Sequence, residues 1–171
     1  NIVVEILRKL MVEQIAIYKR TNVVQATTFS EKITLLMNTY YNGLITNEEV
    51  IKELLKTAEE INALRKEGEK LGLSEEELAF YDALTKPEHI KDFYENETLI
   101  ALTRELTEML RKNRTIDWQK KETARAGMRK MVKRLLKKYK YPPEKRKDAI
   151  ETVMSQCELW TDNMAEQIYP H

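Results

Sequence analysis

The sequence predicts an all-α fold, an irregular bundle of about six or seven helices. Apolar residues recur at spacings of three and four along most of the chain, and no segment alternates long enough to make a strand. Only 4 Gly and 4 Pro are present, so few sharp turns are available. We expect one helical domain over residues 1–171, with its weakest point near 86–95, where two lobes would separate.

Apolar stripes and helix-start signals predict the first three helices. The first stripe holds Ile2, Ile6, Leu7, Leu10, Met11 and Ile15, and the second holds Phe29, Ile33, Leu36, Met37, Tyr40 and Tyr41. Gly43 is a natural end for the second helix. Thr46 and Glu49 match a capping box, in which each side chain binds the other residue's backbone amide. The third helix follows and should end near Gly68 or Gly72.

Four further helices are predicted after Leu73. Ser74 and Glu77 match a second capping box, and Pro87 ends the short helix that follows. A fifth helix runs through Leu99, Leu102, Leu106, Met109 and Leu110 and breaks at 113–116. The sixth runs from about Asp117 to Tyr139. Pro143 then opens the last helix, because proline suits the first helical position.

The cysteine count and the hydropathy of the chain indicate where in the cell the protein is located. Cys157 is the one cysteine, so no disulfide can form within the chain, which is typical of a reducing cytosol. No run of about 18 apolar residues is present to span a membrane. We therefore predict a cytoplasmic protein that has no membrane partner. Because the chain lacks an initiator methionine and opens directly in a helical pattern, we expect a fragment of a longer protein.

The side chains that usually perform catalysis are scarce. The two histidines, His89 and His171, have no second ligand at metal-binding spacing. Gly68 and Gly72 are not followed by the Lys-Ser or Lys-Thr of a phosphate loop. No acidic residue has a lysine two positions later, a pattern common in nucleases. We interpret acidic runs such as 75–77 as first turns or solvated helix faces. The sequence predicts no catalytic, cofactor-binding or metal-binding residue in this segment.

Charge is strongly segregated along a chain whose net charge is only +1. Residues 46–110 carry a net charge of −9, residues 111–147 carry +13, and residues 148–171 carry −5. The candidate contact residues are Lys120, Lys121, Arg125, Arg129, Lys130, Lys133, Arg134, Lys137 and Lys138. Their helical spacing gives a cationic face opposite an apolar stripe. Three interpretations stay open: pairing with the acidic segments, docking of an acidic protein, and contact with DNA phosphates.

Three separated motifs resemble one family. They are Arg20-Thr21-Asn22-Val23-Val24-Gln25-Ala26, the stretch from Leu71 to Leu84, and the segment from Thr115-Ile116-Asp117-Trp118 through Val132-Lys133-Arg134-Leu135-Leu136 to Tyr141-Pro142-Pro143. Together they resemble the C-terminal helical segment of the R (motor) subunit of bacterial type I restriction enzymes. That family commonly has glycine where this chain has Lys140. Glycine adopts the left-handed conformation of a helix end more easily than lysine does. The resemblance therefore does not fix the residue at which the helix near Tyr139 ends.

The resemblance implies a function that the composition does not reveal. The full-length subunit would be an ATP-dependent type I site-specific deoxyribonuclease, with a nuclease domain and two motor lobes that use ATP and Mg to translocate duplex DNA. This segment would be a non-catalytic domain that docks the motor onto the methyltransferase core of M and S subunits. The alternative is a module that binds the DNA backbone, regardless of base sequence, through residues 118–147.

Overall fold

Eight α-helices and one short 3-10 helix form the part of the chain that the computed structural model describes, residues 1–115 and 117–168. The helices are α1 (Ile2–Thr21), α2 (Val23–Tyr41), α3 (Asn47–Lys70), α4 (Glu75–Thr85), α5 (Ile90–Phe93), α6 (Asn96–Asn113), the 3-10 helix (Trp118–Lys120), α7 (Glu122–Lys138) and α8 (Pro143–Ile168). The predicted all-α fold is confirmed.

Both predicted capping boxes are present. The Glu49 amide donates to Thr46 Oγ1 at 3.1 Å, and the Thr46 amide donates to Glu49 Oε1 at 3.3 Å. Ser74 and Glu77 make the same pair of bonds at the start of α4. These bonds satisfy amides that have no partner inside the helix, so they fix where α3 and α4 begin.

Two helices differ from the sequence-based expectations. The four-residue α5 was not predicted, because a single turn is too short to show apolar periodicity. Helix α7 begins at Glu122 rather than near Asp117. Residues 118–120 instead form the 3-10 helix, in which the Trp118 side chain is almost fully buried. Lys121 has an extended backbone (φ −105°, ψ 115°), which separates the 3-10 helix from α7.

The chain divides into two compact units. The first unit comprises residues 1–19 and 25–72, so it contains most of α1 and α2 and all of α3. Its core consists of Val4, Met11, Ile15, Phe29, Ile33, Met37, Val50, Leu54 and Ile61. Helix α1 contributes Val4, Met11 and Ile15 to this core, and its partly buried Leu7 and Tyr18 pack against it.

The second unit comprises residues 20–24 together with the chain from Leu73 onward. Within it α4 packs against α6 and α8, and α7 packs against α6, α8 and the 3-10 helix. The Val23 amide donates to Gln156 Oε1 at 2.8 Å, and Gln156 Nε2 donates to the Thr21 carbonyl at 2.8 Å. Gln156 is fully buried, so these two bonds hold residues 20–24 against α8.

The boundary between the units falls at 72–73, and residues 86–95 lie inside the second unit. Whether residues 1–171 act as one domain stays a prediction. Among the described residues, no helix combines the length and the apolar character that crossing a bilayer requires.

Candidate interaction surface on helix α7

Helix α7 is anchored to α8 at its start. Its buried stripe consists of Met128, Val132, Leu135 and Leu136. Just before the helix, Trp118 Nε1 donates to Thr161 Oγ1 at 3.0 Å, and Gln119 Nε2 donates to Asp162 Oδ1 at 2.7 Å. The apolar stripe and these two bonds together fix which face of α7 is left to solvent.

The end of α7 is held by the left-handed residue Lys140 and by Tyr141. Lys140 has φ +55°, its amide donates to the Lys137 carbonyl, and the Tyr141 amide donates to the Leu136 carbonyl. This hydrogen-bond pattern is the Schellman motif. The Tyr141 hydroxyl is buried and donates to the Leu84 carbonyl at 2.7 Å, which ties this end of α7 to α4.

Four of the nine predicted contact residues make ion pairs inside the protein. They are Lys121 with Asp117 at 3.5 Å, Arg125 with Glu158 at 3.0 Å, Arg129 with Glu151, and Lys138 with Glu105 at 2.7 Å. Three of these acids belong to the acidic segments 46–110 and 148–171. Internal pairing therefore accounts for part of the cationic face.

In the pairs that contain Glu151 and Glu105, the pKa of the acidic member is lowered. The hydrogen bond from Arg129 lowers the pKa of Glu151, and the hydrogen bond to Glu151 raises the pKa of Arg129. Lys138 and then Tyr139 lower the pKa of Glu105 by hydrogen bonding, and the bond to Glu105 raises the pKa of Tyr139 to about 12. The carboxyl groups of Glu151 and Glu105 are therefore charged at neutral pH.

The other predicted contact residues make no ion pair with any residue in the described part of the chain. They are Lys120, Lys130, Lys133, Arg134 and Lys137, and all five side chains are exposed. The last four follow the spacing i, i+3, i+4, i+7, which places them on one face of α7. We call this group of four residues the cation stripe. Its charges form one part of the basic segment that the ion pairs described above leave available to a partner.

A buried ion cluster was missed by the sequence analysis. Glu76 Oε1 lies 2.6 Å from Arg114 Nη1, and Glu76 Oε2 lies 2.9 Å from Arg111 Nη2. The side chains of Glu76 and Arg114 are each only 7% exposed. Residues 75–77 form the first turn of α4, which is one of the two expected placements, but Glu76 is buried in that turn. No local pattern in the sequence marks these pairs, because the arginine partners are 35 or more residues away along the chain.

The remaining candidate groups are metal-ligand clusters, the histidines and Cys157. Among the side chains of residues 1–115 and 117–165, no group of three or more His, Cys, Asp or Glu could hold a metal ion. His89 is 77% exposed and lies 3.6 Å from Asp92, while His171 is outside the described residues. Cys157 is buried, and burial raises the pKa of its thiol to about 11. A protonated, buried thiol is a poor nucleophile.

Comparison with known proteins shows to which protein family the chain belongs. The family model described as type I restriction enzyme HindI endonuclease subunit-like, C-terminal, matches residues 1–163. The chain belongs to this family. It is 39% identical over 158 residues to the type I restriction enzyme HindI endonuclease subunit of Haemophilus influenzae. It is also 31% identical over 135 residues to a candidate type I restriction enzyme MjaIXP endonuclease subunit of Methanocaldococcus jannaschii.

Membership of the type I restriction endonuclease family confirms the resemblance that the three motifs carry. The Haemophilus match covers 92% of this chain but 15% of the relative, and the Methanocaldococcus match covers 78% and 13%. The chain thus spans about one seventh of the length of these restriction endonuclease subunits. No solved structure matches it.

Proposed function

We propose that this chain is a non-catalytic docking domain of a type I restriction endonuclease subunit. It joins the motor part of the subunit to the methyltransferase core of M and S subunits. In the full-length cytoplasmic subunit, ATP and Mg would be bound by the motor and nuclease parts. Family membership supports the assignment to a restriction endonuclease subunit. The cation stripe of α7 is the observation that supports docking.

The cation stripe is suited to an anionic partner for two reasons. Its charges have no internal counterpart in the described chain, so a partner's acidic groups would not have to displace existing ion pairs. Helix α7 is also tied down at both ends, by Trp118 and by Tyr141. A rigid surface loses little conformational entropy on binding, so more of the contact energy appears as affinity.

Charge reversal in the stripe tests this proposal. The full-length subunit carrying Lys130→Glu and Lys133→Glu should bind the M and S complex about tenfold more weakly, because attraction is replaced by repulsion. Both residues are exposed and lie in the middle of α7. Lysine and glutamate have similar helix propensities, so the substitutions should leave the helix intact. Binding would be measured by titration of the immobilised modification complex.

A matched control distinguishes an effect of the cation stripe from an effect of the protein's net charge. Lys56→Glu and Lys66→Glu in α3 change the net charge equally and also replace exposed lysines. This variant should retain binding within about twofold, since the changed charges are outside the proposed contact. Docking through α7 would be contradicted if both double variants weakened binding equally. It would also be contradicted if the double variant in the cation stripe did not weaken binding.

A second candidate, contact with the DNA backbone, is favoured by the composition of the stripe. Protein interface cores are depleted in lysine and enriched in aromatic residues, whereas the stripe holds three lysines and one arginine and no apolar anchor. Residues 130 to 137 span about 10 Å of helix. A DNA duplex presents about six phosphate charges over that length.

Salt dependence distinguishes the two candidates. If the stripe contacts phosphates, Lys130→Glu and Lys133→Glu should weaken binding of unrelated duplexes alike and reduce the salt slope by about one for each lost contact. If the stripe docks onto protein alone, duplex affinity and its salt slope should equal those of the wild-type subunit. Anisotropy titrations at about 50 and 200 mM salt measure both quantities.

A further inference from the structure

Two of the three arginines of α7 are bound by acids of α8. Both terminal nitrogens of Arg129 contact Glu151, with Nη2 donating to Oε2 at 3.3 Å. Arg125 Nη2 lies 3.0 Å from Glu158 Oε1, and Arg125 Nη1 donates to the Gln119 carbonyl at 3.2 Å. The two terminal nitrogens of each guanidinium group are therefore both engaged within the protein.

The engagement of these arginines affects which kind of anion α7 can bind. A guanidinium group binds a phosphate through two parallel N–H bonds, whereas the ammonium group of lysine acts as a point charge. The cation stripe contains three lysines and one arginine, Arg134. Glu151 and Glu158 thus hold two of the three side chains of α7 that are best suited to phosphate.

The two acids of α8 are placed to act together. Glu151 and Glu158 are seven residues apart, about two helical turns, so they lie on the same side of α8, which packs against α7. The hydrogen bond from Arg129 lowers the pKa of Glu151, and the charge of Lys147 lowers it further. Glu151 is therefore negative at neutral pH, and it repels a phosphate as well as holding Arg129.

We propose that Glu151 and Glu158 are specificity-determining residues, which disfavour duplex DNA on α7 and leave the cation stripe to an acidic protein. The proposal rests on the docking function proposed above, in which the partner of α7 is a protein. Exposed cations on a helix attract any duplex through its phosphates, regardless of base sequence. Discrimination between two partners requires interactions that disfavour one of them, and the two carboxylates supply such interactions.

Both arginines can change partners without leaving a buried charge. The side chains of Arg125 and Arg129 are each 39% exposed. If its acid is replaced by a neutral residue, each guanidinium group can be solvated, and the cost to stability is that of a surface ion pair. Variants that lack the two acids should therefore stay folded, so their binding can be measured.

Lysine footprinting of the full-length subunit tests the proposal. The double variant Glu151→Gln and Glu158→Gln keeps the size of both side chains and releases both arginines. Duplex DNA is titrated at about 50 and 200 mM salt, and mass spectrometry follows acetylation of Lys130 and Lys133. Protection of these two lysines reports DNA at α7, so binding by other parts of the subunit does not enter the signal.

We expect the double variant to reach half-protection at about tenfold lower DNA concentration than the wild type at the lower salt. Two added phosphate contacts should also steepen the slope of log affinity against log salt by about 1.8. Further replacement of Arg125 and Arg129 by glutamine should remove both gains, because the released guanidinium groups produce them. The control Glu59→Gln and Glu67→Gln removes two exposed acids of α3 and should stay within about twofold of the wild type.

Equal protection in the wild type and the double variant would overturn the proposal, whether DNA protects both or neither. So would a gain that the α3 control shares, or a gain that survives replacement of the two arginines. The docking function is tested with variants of α7 and the M and S complex, whereas this experiment uses variants of α8 and DNA. Failure of one proposal is therefore distinguishable from failure of the other.

Discussion

Replacement of Glu76 by glutamine should strongly destabilise the second unit. The substitution keeps the size of the side chain and removes its charge. Arg114, whose side chain is 7% exposed, then keeps its own charge without the carboxylate 2.6 Å away. Arg111 also loses a partner at 2.9 Å, but it is 51% exposed and can be solvated by water.

The magnitude follows from the geometry of the Glu76–Arg114 pair. At 2.6 Å and an effective dielectric constant near 20, two unit charges attract by about 6 kcal/mol. Part of this attraction offsets the cost of removing both ions from water. After Glu76→Gln the desolvation cost of Arg114 remains while the attraction is lost, so the free energy of unfolding should fall by about 3–5 kcal/mol.

Denaturant titration followed by tryptophan fluorescence is the suitable assay. Both tryptophans, Trp118 and Trp160, belong to the second unit, so the signal reports the unit that contains Glu76. Asp148→Asn is the control, since it breaks an exposed pair with Lys86 at 3.7 Å and should cost less than about 1 kcal/mol. If Glu76→Gln lowered the free energy of unfolding by as little as Asp148→Asn does, the reasoning about the buried pair would be refuted.

Three further outcomes are expected. Lys140→Gly should raise the free energy of unfolding by about 1 kcal/mol in the same titration, because glycine adopts the φ of +55° without strain; no gain would contradict a left-handed residue there. Cys157, with a thiol pKa of about 11, should resist alkylation at pH 8 until the protein unfolds, as mass spectrometry would show. The lowered pKa of Glu105 beside Lys138 contributes stability above the unfolded pKa, which is lost as pH falls through the folded pKa. Glu105→Gln should therefore be less stable than wild type at pH 7 and approach it in acid, as unfolding titrations across pH would show.

Local signals in the sequence were sufficient to predict most helices. Thr46 with Glu49 and Ser74 with Glu77 are each three residues apart, so the capping boxes could be identified without knowing the fold. Lys140 was recognised as unusual only because the family has glycine there. The left-handed φ of that residue gives the physical reason for glycine.

Features that depend on distant partners could not be predicted. The apolar residues of α1 were assigned to one stripe, yet Ile6 and Leu10 are exposed while Met11 is buried. Sequence periodicity identifies an apolar side chain but does not say which neighbour covers it. In the basic segment, likewise, only the folded arrangement separates Arg129, which pairs with Glu151, from Lys130, which pairs with no acid in the described chain.

The attachment of residues 20–24 to α8 has a consequence for synthesis on the ribosome. The bond between Val23 and Gln156 joins residues that are 133 positions apart. At about 5–20 residues per second, Val23 is added to the chain roughly 7–27 seconds before Gln156. The first unit, complete at residue 72, can fold during that interval. The second unit has to wait for α8, so its earliest segment, 20–24, finds its partner only near the end of translation.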